Sequence, residues 1–198
     1  MIAFINGRLV VKEPTFVILE TGGIGYEIKV SLNTYTAIKN EEACKLHTYL
    51  HVKEDAHTLY GFFEPTEKSL FLLLISISGI GPSTALMMFS SLSTEEIKNA
   101  IATENVTVIK GVKGIGLKTA QRVILELKDK VRKEEWISAD NEQIEGGSHN
   151  TIRSEALSAL VTLGINKQQA EKSIESILQN TDEQITLEEL IKRALKRP

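Results

Sequence analysis

The chain has 198 residues, is 42% hydrophobic and 25% charged, and carries a formal net charge of −3, an ordinary balance that leaves room for one large or two to three small domains. Its single cysteine, Cys44, excludes an intramolecular disulfide and a multi-cysteine zinc site and fits a reducing compartment. The most apolar stretch, Leu70 to Ile77, is far too short to span a bilayer, and Met1 to Val11 has neither a positive leading region nor a small-residue cleavage site, so the expected setting is the cytoplasm, with no membrane partner.

Residues 1–63 read as a β domain. Ile2 to Val11, Phe16 to Glu20, Tyr26 to Val30, Leu46 to Val52 and Thr58 to Phe63 are β-branched or aromatic runs, separated by turn residues at Lys12 to Pro14 and Gly22 to Gly25. Strand-like Tyr26 to Val30 follows the glycine cluster, which makes it a hairpin turn rather than a dinucleotide loop. Asn33 to Lys39 forms a short helix or turn between strands. Five strands interrupted once in this way are the pattern of an OB-fold β-barrel, a platform that often carries nucleic acid. Between the last two strands, Glu54 and Asp55 stand side by side, flanked by His51 and His57. Paired carboxylates invite a metal-dependent nuclease reading, but no second acidic cluster completes a two-metal site, and a solvated turn explains the same residues.

Residues 64–135 contain one short sequence written twice. Ser78-Gly79-Ile80-Gly81-Pro82-Ser83-Thr84-Ala85 returns 35 residues later as Lys113-Gly114-Ile115-Gly116-Leu117-Lys118-Thr119-Ala120. Each copy lies between helical apolar segments: Leu70 to Ile77 and Ala85 to Leu92 for the first, Val106 to Ile109 and Ala120 to Leu127 for the second. Glycine allows a positive φ and a close backbone approach, and the helix behind it offers unpaired N–H groups at its positive dipole end, which suits a phosphate. Ile80 and Ile115 are placed to pack back between the helices. A nucleotide-binding P-loop fails by one residue, because Leu117 occupies the lysine position of G-x-x-x-x-G-K-T. An internal repeat of turn and flanks argues instead for a tandem helix-hairpin-helix module that grips nucleic-acid backbone without reading bases.

A capping box, Ser93-Thr-Glu-Glu96, starts a helix to about Ala102 that joins the two hairpins, and the second outgoing helix is expected to run to about Lys133. Residues 136–150 are polar, acidic and glycine-containing, and read as a flexible linker with an r.m.s. span of about 20 Å. Within 151–198, the stretches Ile152 to Leu163, Lys167 to Leu178 and Leu187 to Leu195 have helical apolar spacing. Asn166 serves as an N-cap and Thr186 to Glu189 as a capping box. Three short helices resemble a ubiquitin-associated-type (UBA-like) bundle, more often a protein-binding module than an enzyme.

Charge is unevenly spread. Residues 106–133 hold eight basic side chains, Lys110, Lys113, Lys118, Arg122, Lys128, Lys130, Arg132 and Lys133, against Glu126 and Asp129. Lys118 and Arg122 stand four apart and share a helix face just past the second Gly-Ile-Gly turn, where both can reach phosphates.

These motifs, with Gly7-Arg8-Leu9, Gly22 to Tyr26, Glu54-Asp55-Ala56, Leu59-Tyr60-Gly61-Phe62, Lys118-Thr119-Ala120 and Leu160 to Gly164, resemble the RuvA family over essentially the full length. The resemblance implies a non-catalytic subunit, without metal or cofactor, that binds four-way (Holliday) junctions independently of sequence and presents them to a RuvB-type hexameric ATPase for branch migration in recombination and DNA repair. It implies a homotetramer, alone or as two tetramers face to face, with a junction resolvase as a further partner. By this resemblance Gly79, Ile80, Gly81, Ser83, Thr84, Gly114, Ile115, Gly116, Lys118, Thr119 and Arg122 bind DNA. Glu54 and Asp55 form an acidic pin that repels phosphates at the crossover, and Leu160, Leu163, Ile165 and Leu195 face the motor. The family often has lysine where Ser83 and Leu117 stand here, so backbone amides, hydroxyls, Lys118 and Arg122 must carry more of the grip.

Overall fold

The structure, a computed structural model, describes residues 2–142, 148–179 and 185–196. The chain divides into two compact units, Met1–Ile137 and Ser138–Pro198.

The first unit begins with five strands, β1 Phe4–Glu13, β2 Phe16–Thr21, β3 Ile24–Val30, β4 Ala43–Val52 and β5 His57–Phe62, with helix α1 Leu32–Ile38 between β3 and β4. They close a barrel in the order β1-β2-β3-β5-β4, in which β3 and β5 pair in parallel and every other pair is antiparallel. Alternate side chains point inward, as strand geometry requires, and Ile5, Leu9, Val17, Leu19, Ile28, Val30, Leu46 and Leu59 fill the interior. β1 runs further than its apolar run suggests, because Lys12 and Glu13 still pair with Val17 and Phe16 and the turn falls at residues 14–15. Gly22 and Gly23 form the two-residue link of the β2–β3 hairpin, closed by the pair Thr21 and Ile24.

The same unit continues in helices α2 Pro65–Ile75, α3 Pro82–Ser91, α4 Thr94–Ala102, α5 Val106–Lys110 and α6 Leu117–Glu142. A second core joins them to the outer face of β5: the rings of Phe62 and Phe71 lie 4.7 Å apart by centroid, and Tyr60 and Phe71 lie 5.5 Å apart. Removing a fully buried ring such as Phe71 costs about 3–5 kcal/mol, so this aromatic seam fixes the helices on the barrel. The capping box at α4 is present as expected, with Ser93 N–H donating to Glu96 Oε2 at 2.8 Å and Glu96 N–H donating to Ser93 Oγ at 3.2 Å. The Ser93 N–H, with the Ser93 hydroxyl donating to the same oxygen at 2.9 Å, holds the Glu96 carboxyl below its ordinary range.

Helix α6 continues past Lys133 to Glu142, since no glycine or proline intervenes between Gly116 and Gly146. Of the expected linker, residues 136–142 are helical, 148–150 open the next helix, and 143–147 lie outside the described residues. Polarity without periodicity does not by itself exclude helical backbone.

The second unit holds α7 Ser148–Thr162, α8 Lys167–Gln179 and α9 Leu187–Lys196. They close around Ala156, Leu160, Ala170, Ile174, Ile177, Leu190 and Ala194. Asn166 Oδ1 accepts from Gln168 N–H at 3.0 Å and Thr186 Oγ1 from Glu189 N–H at 3.3 Å, the expected caps of α8 and α9.

Candidate nucleic-acid interface

Both Gly-Ile-Gly turns adopt one geometry. Gly79 and Gly114 take φ of 98° and 90°, a region L side chains rarely enter. The isoleucine between each pair of glycines is buried, 4% exposed at Ile80 and 5% at Ile115. Its N–H is spent inside the turn, Ile80 on Ile77 O at 3.0 Å and Ile115 on Val112 O at 3.1 Å. Ile80 and Ile115 therefore shape the turns; neither offers a side chain or an N–H to a ligand, which corrects their place among the expected contacts.

The helix starts complete the sites. Ala85 N–H donates to Gly81 O at 3.0 Å and Ala120 N–H to Gly116 O at 2.9 Å, the same register in both copies. Among the described residues, the N–H groups of Gly81, Ser83 and Thr84, and those of Gly116, Lys118 and Thr119, have no acceptor within the chain. Each trio sits at the positive end of a helix dipole and can satisfy itself on an anionic oxygen. Ser83 and Lys118 are exposed, and Thr84 and Thr119 are half-buried beside them.

The basic side chains around the second turn divide into two groups. Lys110, Lys113, Lys118 and Lys130 are exposed and carry no ion pair among the described residues. Lys128 is bound instead to Glu104, which takes φ 58° at the end of α4. Arg122 donates from Nη1 to the carbonyl of Ser78 at 3.2 Å and lies 3.8 Å from Glu126. Sequence spacing set Arg122 beside Lys118 but gave no sign of this link across to the first turn. Arg132 and Lys133 have side chains outside the described set.

Glu54 and Asp55 occupy the tip of the β4–β5 hairpin. Val52 pairs with His57, and Lys53 N–H donates to Ala56 O at 2.8 Å, which leaves both carboxylates exposed at the turn. Behind them His51 meets the rings of Tyr49 and Tyr60 at centroid distances of 6.1 and 6.4 Å. Among the described residues no group of three or more His, Cys, Asp or Glu could hold a metal ion. The geometry supplies a small, concentrated negative charge at an exposed hairpin tip.

In the second unit, Gly164 ends α7 with φ 93°, Ile165 N–H returning to Leu160 O and Gly164 N–H to Val161 O, both at 3.0 Å. This reversal turns Leu163 outward, 62% exposed, and leaves Ile165 half-buried; Leu195 on α9 is 48% exposed. Leu160 is fully buried, so it belongs to the core and not to the expected docking face: one helical turn before the cap, it points between α8 and α9. Val161, 44% exposed, joins the outer apolar surface and was not anticipated.

Comparison with known proteins agrees with this layout. Residues 1–61 match the model described as RuvA N terminal domain, 71–129 that of a SAM-like Helix-hairpin-helix tandem, and 151–197 that of RuvA, C-terminal domain. The chain is 57% identical to the Holliday junction branch migration complex subunit RuvA of Cytophaga hutchinsonii over 197 residues, covering 99% of each chain. The chain belongs to the RuvA family. RuvA of Christiangramia forsetii is 53% identical over 100% of both chains, and RuvA of Flavobacterium psychrophilum 47% identical over 99% of both. Both Gly-Ile-Gly turns fall inside the helix-hairpin-helix match, and the carboxylate hairpin falls inside the RuvA N-terminal match. Among the described residues, no helix of this RuvA-family chain is long and apolar enough to cross a membrane.

Proposed function

We propose that this chain is the non-catalytic DNA-binding subunit of a cytoplasmic branch-migration complex. It grips four-way junctions by their phosphates, holds them open, and presents them to a RuvB-type hexameric ATPase during recombination and the repair of DNA damage, including the SOS response. The observation that carries this reading is the duplicated helix start, in which two trios of unpaired N–H groups face outward beside Ser83, Thr84, Lys118 and Thr119. Such groups bind phosphate oxygens and distinguish no base, so the grip is sequence-independent. The relatives support the junction part of this reading: each is named a Holliday junction branch migration complex subunit.

In this reading four copies surround the crossover, as one tetramer or as two face to face. Glu54 and Asp55 stand at its centre, where like charge repels phosphate and discourages the strands from closing into uninterrupted duplex. Leu163, Ile165 and Leu195 present the second unit to the motor, and a junction resolvase shares the assembly. A gel-shift series comparing a four-way junction with linear duplex of the same sequence, with native mass alongside, tests it. Preferential junction binding by a tetramer or octamer is expected. Equal binding of both DNAs, or magnesium-dependent cutting of the junction, would overturn it.

A further inference from the structure

The two turns are not equivalent. The 35-residue offset of the repeat sets Gly79 against Gly114, Thr84 against Thr119, and Met87 against Arg122. Among the described residues, the second copy reaches across to the first and not the reverse. Arg122 Nη1 donates to Ser78 O at 3.2 Å over a sequence separation of 44 residues. Three residues earlier on the same helix, Thr119 lines the first turn: a Cβ built on Gly79 would stand 3.6 Å from Thr119 Oγ1. Among the described residues no such contact is returned. A Cβ on Gly114 would meet nothing within 4 Å, and Met87 has a thioether where Arg122 has five N–H donors.

We propose that Arg122 is a positioning residue that bolts the first Gly-Ile-Gly turn to the start of α6, so that the two phosphate sites act as one rigid unit. This rests on the phosphate-gripping reading given above. The Ser78 carbonyl belongs to the peptide that enters Gly79, so an N–H fixed on that oxygen fixes the plane of the peptide. Glycine there would otherwise reorient at little cost. A charged donor on a carbonyl makes a stronger bond than a neutral one. Glu126, 3.8 Å from Arg122 Nε, steers the guanidinium toward Ser78 and offsets its charge, which leaves it a weaker phosphate ligand than the unpaired Lys118. Two sites held at one spacing bind two phosphates without ordering each site separately, the advantage of preorganisation. The dependence is one-sided: the first turn leans on the second, and the second stands alone.

Arg122→Met installs the residue that the repeat itself carries at this position. In DNA-free protein, hydrogen exchange of the segment 76–83 should quicken by about 2- to 10-fold, the equivalent of one net hydrogen bond, while 111–118 is unchanged. On a four-way junction the salt slope should fall by more than the one contact per subunit lost in Lys118→Ala, and adding Ser83→Ala and Thr84→Ala should then cost little more. Unchanged exchange at 76–83, or equal quickening in both segments, would overturn the proposal. So would a slope change of about one with the hydroxyl substitutions still at full effect, since Arg122 would then be only another phosphate contact. If wild type shows no junction preference the proposed function falls, while the exchange result on free protein still decides the bolt.

Discussion

Glu67, in the first turn of α2, accepts a hydrogen bond from Thr34 Oγ1 in α1 at 2.9 Å, and its other oxygen accepts from Phe63 N–H at 3.1 Å. One buried carboxylate thus holds the helix that interrupts the barrel against the helix that leaves it. Glu67→Ala would strand the Thr34 hydroxyl and the Phe63 amide, with Ser31 Oγ losing an acceptor 3.3 Å away. The expected loss is about 1–3 kcal/mol, read from the denaturation midpoint.

Burial raises the Glu67 pKa above 4.5, against hydrogen bonds that lower it. For a carboxyl raised on folding, the folded chain holds the extra proton, so its stabilising share is complete below the unfolded value. That share is lost as pH climbs through the folded one. Relative to Glu67→Gln, wild type should therefore lose ground from about pH 4.5 upward and then level off. Chemical denaturation at stepped pH measures the difference, and a gap that does not move with pH would contradict it.

Lys118 is exposed, without an ion pair among the described residues, and one step along α6 from its first residue. Lys118→Ala should weaken junction binding for arms of every sequence alike and lower the salt slope by about one unit per subunit. Titrations at several salt concentrations decide it, and an unchanged slope removes Lys118 from the interface.

Neutralising the hairpin tip, Glu54→Gln with Asp55→Asn, should leave stability within about 0.5 kcal/mol, because both side chains are exposed. Selectivity should change instead. With the proposed repulsion removed, linear duplex should compete better against the junction, and branch migration with the motor should change rate. Competition binding reads the first effect, and an unaltered preference would deny the pair its role.

The second unit separates core from surface within one helical turn. Leu160→Ala should cost about 2–5 kcal/mol and melt the bundle early, whereas Leu163→Asp should leave the circular dichroism of the full chain unchanged and abolish stimulation of the ATPase. A Leu163→Asp protein that still drives the motor would clear Leu163 of that contact.

Local pattern carried much of this molecule into view. Strand alternation, the capping residues Ser93, Asn166 and Thr186, and the repeated Gly-Ile-Gly turns are short-range signals, and each reappears in the structure. What stayed hidden depends on partners distant in sequence. Apolar spacing marked Leu160 and Leu163 equally, and only the packing of α8 and α9 tells which is covered. Local pattern does not single out Glu67, whose partners Thr34 and Ser31 lie 33 and 36 residues away. Arg122 read as a phosphate ligand because the acceptor it meets, Ser78 O, is a backbone atom that composition cannot advertise.

The barrel closes through three parallel partners, Ile28 with Leu59, Lys29 with Tyr60 and Val30 with Gly61. That short seam closes the ring, so among the described residues the unpaired ladder positions are confined to parts of strands, such as residues 24–27 of β3 and 9–13 of β1, and no full-length edge is offered to a neighbouring copy. Prising β3 from β5 would extend those gaps into two full raw edges at once and make the barrel a seed for uncontrolled strand pairing.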